Sequence, residues 1–133
     1  MRTPQIEIDG WELESGEQYH RRAPDTFEVP KISIRTGLCP GDLAKLIFSI
    51  SIDNPEQPIG VERMWVLVRE VTPEGRYFGL LDNQPTLIGA NNEFWLDTEV
   101  PFGPEHVIDA QLRDTDSVAA AAARTPLRSW PRA

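Results

Sequence analysis

Between Leu43 and Ile52 the chain alternates: Ala44, Leu46, Phe48, Ile50 and Ile52 fall on one side, and Lys45, Ser49 and Ser51 on the other. This period of two predicts a half-buried strand. From Arg63 to Val71 the alternation loses its polar side, because Met64, Val66 and Val68 interleave with Trp65, Leu67 and Val71. A central strand covered on both faces is expected there, with Trp65 in the core. Thr72-Pro73-Glu74-Gly75 supplies a fixed φ and a free φ in succession, so the chain should reverse into a return strand over 76–81 that ends at Asp82-Asn83-Gln84-Pro85. Asn54-Pro55-Glu56-Gln57-Pro58 reads as part of a surface loop over 53–60 between the two long strands.

Weaker signals surround this centre. Thr86-Leu87-Ile88 and Glu99-Val100-Pro101-Phe102 are short strand candidates, the second at an edge because Pro101 has no N–H to give a ladder. Gln5 to Ile8 reads as a strand, Trp11 to Arg22 as a marginal helix or an ordered loop, and the proline-punctuated stretch 23–40 as mostly extended. Pro104 to Asp109 suggests a short helix or single helical turn. Ala119 to Ala123 has high helix propensity but no amphipathic face. The expected fold is α+β and mainly β, a strongly bent antiparallel or small barrel-like sheet with one or two short helices. Residues 1–116 form its single domain, and 117–133 an Ala-rich helical stub with a loose basic tail.

The 133 residues suit one domain that builds its own core. Apolar runs of only a few residues leave no membrane helix, and the lack of a basic-then-apolar start predicts a cytoplasmic protein. One cysteine, Cys39, rules out an internal disulfide and a thiolate cluster. The net charge of −8 is unevenly distributed: residues 82–116 hold eight acids against Arg113, whereas residues 117–133 hold three bases and no acid. With no basic cluster longer than Arg21-Arg22, nucleic-acid binding is disfavoured.

Five blocks carry a family resemblance: Pro24-Asp25-Thr26-Phe27 with Pro30, Gly41 to Phe48, Glu62 to Val66, Gly79 to Pro85, and Phe102 to Asp109. Together, over residues 24–109, they resemble the YegJ-like bacterial family of unknown function. Where such proteins tend to carry a Gly-Asp pair before the late strand, Leu96-Asp97-Thr98-Glu99 stands here. The resemblance implies a compact α+β or mainly β domain. Related small domains occur among toxin-immunity and regulatory proteins.

Catalytic signatures are weak. His106 and Asp109, three apart, would share a face if helical, but the other histidine, His20, sits in a different sequence environment, and no metal set or cofactor motif is expected. Cys39 lacks a histidine partner, no serine sits in a nucleophile elbow, and the glycines form no phosphate loop. Trp11, Trp95 and Trp130 divide between packing a sheet edge and offering an aromatic anchor. Trp95 stands beside Phe94 within the acidic segment, the combination of apolar anchor and charged rim found at interfaces. The first reading is therefore a non-enzymatic interaction module that docks a basic protein partner through Phe94, Trp95, Asp97 and Glu99. The second is a small-ligand binder or hydrolytic enzyme whose pocket gathers Asp82, Asn83, His106 and Asp109.

Overall fold

The computed structural model describes residues 2–132. Three consecutive antiparallel strands form its centre: β2 (Leu43–Ser51), β3 (Ile59–Val71) and β4 (Tyr77–Leu81). The alternation that specifies them also fixes their register, with Leu46 opposite Met64 and Val66 opposite Leu81, so the apolar sets of all three strands share one face. The β3–β4 reversal closes with the Gly75 N–H donating to the Thr72 carbonyl at 3.0 Å, and Gly75 has φ +77°, a conformation that glycine adopts without strain. Beyond β4 lies β5 (Glu99–Phe102), where Pro101 stands on the last strand of the sheet order, as its missing N–H requires.

The opposite edge of β2 carries two short strands, β1 (Trp11–Leu13) and β6 (Asp109–Gln111). Trp11 pairs with Ile50 and Leu13 with Phe48, whereas Asp109 pairs with Lys45 and Gln111 with Leu43. Both segments thus run in the same direction, end to end, as the two halves of one interrupted strand. Glu14 continues the first half by donating its N–H to the Ile47 carbonyl, and Ile108 opens the second by donating to Lys45. The six strands make a strongly curled half-barrel.

Among the described residues four short helices accompany it: α1 (Ile6–Asp9), α2 (Gly16–Arg22), α3 (Ile32–Arg35) and α4 (Thr115–Ala123), with a 3-10 turn at Pro104–His106. Gln5 to Ile8 is therefore not a strand. The Asp9 carboxylate takes the Gln5 N–H, and Gly10, at φ +80°, ends the turn. The strand of this region begins at Trp11 instead. Residues 86–88 are not a strand either, because the Glu62 carboxylate accepts the N–H groups of Thr86 and Leu87 that a ladder would use.

One core fills the curl, with Phe48, Met64, Val66, Tyr77, Val100 and Phe102 at its centre. Trp11, Phe94 and Trp130 close its open side. Trp65 lies on the other face, half-buried, with the Lys45 ammonium 5.7 Å from its ring, so the expected core position is corrected. Nor is the segment after α4 a loose tail. Trp130 is buried and its indole Nε1 donates to the Arg2 carbonyl at 3.0 Å. No helix among the described residues is long and apolar enough to cross a membrane.

Candidate protein-docking groove

The acidic segment and the basic end of the chain meet. After β4 the chain loops through residues 82–98 and returns as β5. Residues 124–132 lie along this return as an extended strap. Its Arg128 carbonyl accepts the Glu99 N–H at 2.9 Å, and its Leu127 N–H reaches the Asp97 carbonyl at 2.8 Å. Arg124 bonds both Asp82, at 2.6 Å, and Asp97, so one guanidinium ties the end of β4 to the start of β5. Arg132 takes both oxygens of Glu99, at 2.6 and 3.1 Å, reaches Glu70 at 3.2 Å, and lies 3.6 Å over the Phe78 ring.

Asp97 carries the local strain. Its φ of +73° is the left-handed conformation that glycine favours. Three contacts hold it there: its N–H to Leu81, its carbonyl to Leu127, and its carboxylate to Arg124. Glu99 is the most enclosed acid of the segment, only 4% exposed. Burial alone would raise its carboxyl above the ordinary value. The Arg132 guanidinium and the Trp130 N–H, which donates to it at 2.8 Å, more than offset this and bring it below.

The four residues expected as a docking surface separate accordingly. Asp97 and Glu99 lie against the strap, and both are bonded by it. Phe94 is not an exposed anchor: it is buried, stacked on Trp11 with ring centroids 4.8 Å apart. Trp95 is half-buried in the loop, its N–H held by the Thr98 hydroxyl at 2.9 Å. Of the two roles open to Trp130 in the sequence it takes the packing one, buried against Trp11; sequence reasoning missed Arg124 and Arg132. The signal for them was the charge contrast between residues 82–116 and 117–133.

The alternative pocket does not assemble. Asp109, Lys45, Trp65 and Asn83 lie in one row across adjacent strands, since Lys45 is opposite both Asp109 and Trp65, and the Asn83 Oδ1 accepts the Trp65 N–H at 2.6 Å. Three strand spacings, about 14 Å, therefore separate Asp109 from Asn83. Asp82 is engaged by Arg124. His106 stands on the 3-10 turn with Asp109 already in β6, so the two share no helical face. The His106 Nδ1 accepts the Gly103 N–H at 3.0 Å, and burial holds the ring's pKa below its ordinary value. Among the described residues no group of three or more His, Cys, Asp or Glu side chains is placed to hold a metal ion.

The strap thus meets a row of carboxylates, Asp82, Asp97 and Glu99, together with the face of Phe78 and the ring of Trp11, an arrangement that holds an extended basic segment with a tryptophan between two arginines. Compared with known proteins, this chain matches no family model, no curated protein and no solved structure.

Proposed function

We propose that this protein is a non-enzymatic, cytoplasmic interaction module whose acidic groove receives a basic, aromatic-bearing segment of a partner protein. The immunity-like or regulatory setting implied by the YegJ-like resemblance suits such a role. The observation that supports it is the seating of residues 124–132, in which Arg124, Trp130 and Arg132 each fill a separate part of the groove. The strap thus acts as a cis occupant, and the basic partner expected for the acidic segment has the chemistry of the chain's own end.

A tethered occupant competes at an effective concentration on the order of millimolar. A synthetic peptide with the sequence of residues 124–132 should accordingly bind the wild-type chain weakly. Arg132→Ala weakens the cis strap while leaving Asp82, Asp97 and Glu99 in place, so the peptide should bind this variant about 10-fold more tightly. Adding Glu99→Gln should remove that gain, and raising salt should weaken binding in every case. The test is a fluorescence-anisotropy titration. No binding to Arg132→Ala, or binding indifferent to Glu99→Gln, overturns the reading.

A further inference from the structure

Trp130 of the strap is held by the start of the chain. Its indole Nε1 donates to the Arg2 carbonyl at 3.0 Å, and the Arg2 guanidinium lies 4.3 Å over its ring. Trp11 meets the same ring edge-on, the two planes inclined at 68°. A cation on one side and a ring on another select an aromatic side chain, yet both would serve phenylalanine too. The carbonyl would not. It takes an N–H from the ring, which tryptophan supplies and phenylalanine lacks.

The segment that carries this carbonyl is anchored from its other side. The Arg2 guanidinium bonds both oxygens of Asp9, at 2.8 and 2.6 Å, and the same carboxylate accepts the Gln5 N–H at 2.9 Å. The Asp9 side chain is only 9% exposed. Pro4 is buried, the Ile6 N–H goes to Glu12 of β1 at 2.9 Å, and the Gly10 carbonyl accepts the Ser51 N–H of β2 at 2.9 Å. None of these bonds uses a strap residue, so the wall they hold does not depend on the strap for its shape. Such preorganisation is what a selective slot needs.

We propose that residues 2–10 form one wall of the groove and make it selective for tryptophan: a partner segment is accepted when it carries a tryptophan two residues before an arginine and places the indole N–H on the Arg2 carbonyl. This rests on the reading of the groove as a docking site, and it names the side chain that the partner must present. Arg2 is the specificity-determining residue, and Asp9 is a positioning residue that acts through it. A site built to receive a hydrogen bond discriminates against a ligand of the same shape that cannot donate one, because the acceptor is then left unpaired.

The probes are the peptide of residues 124–132 and the same peptide with benzothienylalanine in place of tryptophan, in which sulfur replaces the N–H and the shape is kept. Both are titrated by fluorescence anisotropy against the Arg132→Ala chain. The cis tryptophan competes equally with each, so the ratio of the two affinities reports the slot alone. The tryptophan peptide should bind about 5- to 10-fold more tightly. Adding Asp9→Asn loosens Arg2 without touching Asp82, Asp97 or Glu99, and the preference should then fall below about 2-fold. The comparison of peptides on Arg132→Ala decides the question even if Asp9→Asn unfolds. Equal binding of the two peptides, or a preference that a folded Asp9→Asn variant leaves intact, overturns the proposal. Binding of neither peptide overturns the groove reading itself, so the two failures are told apart.

Discussion

Two tryptophan-to-alanine substitutions separate this structure from the picture suggested by local sequence pattern. Trp130 sits in an irregular segment near the chain end, yet it is buried, packs edge-on against Trp11 with ring centroids 5.7 Å apart, and carries the Arg2 guanidinium 4.3 Å over its ring. Truncating a buried tryptophan typically costs about 3–5 kcal/mol. Loss of the bond from Nε1 to Arg2 adds about 1 kcal/mol, less whatever the strap recovers by settling. Trp130→Ala should therefore cost about 4 kcal/mol, a large part of a typical stability of about 5–15 kcal/mol. Trp65, in the middle of a long apolar strand, is half-buried on the outer face, so Trp65→Ala should cost only about 1–2 kcal/mol. Urea unfolding followed by far-UV circular dichroism, whose signal comes mainly from the backbone, measures both on one scale. A cost below about 1 kcal/mol for Trp130→Ala, or a larger loss in Trp65→Ala, would refute the burial argument.

His106 and Gly79 give further tests. Burial lowers the His106 pKa, so as pH falls through the ordinary histidine range, near 6.5, the unfolded chain takes up a proton that the folded chain refuses, and stability should begin to decline below about pH 7. His106→Gln should flatten that part of the profile, measured as the urea midpoint against pH; an unchanged slope would mean the ring titrates normally. Gly79 in β4 faces Val66, and a Cβ there would lie 2.6 Å from the Leu67 carbonyl oxygen, so Gly79→Ala should lower stability by about 2 kcal/mol through overpacking, whereas Gly89→Ala, with open space at its Cβ, should change the melting temperature little.

The parts of the fold legible in the sequence are those whose information is local. β2, β3 and β4 follow from alternation and a turn signal that lie within one continuous stretch, and Pro101 by itself places β5 at an edge. β1 was hidden because three residues, Trp11, Glu12 and Leu13, give only one and a half periods, too few to stand out from the polar stretch that follows. The strap was hidden for a different reason. No periodicity marks residues 124–132, and what orders them lies far away in sequence: Arg2 and Trp11 at one end of the chain, Asp82, Asp97 and Glu99 in the middle. The opposite charges of the two C-terminal segments were visible, but a charge count does not say whether the attraction is satisfied within the molecule or outside it. Phe94 was misplaced for the same reason, since the rings that cover it, Trp11 and Phe48, come from other strands.

The interrupted edge strand has a consequence in time. The β2–β3–β4 meander closes through two short loops and needs little chain entropy to form. β1 and β6 must each be brought to β2 across long intervening stretches, and the strap can dock only once β5 and Trp11 are in place. The last events of folding should then be the zipping of one strand from two distant pieces and the closing of the strap behind them. In the native state these same parts should open first, before the meander does, and residues 11–14 and 108–111 should exchange their amides together although nearly a hundred residues of chain lie between them.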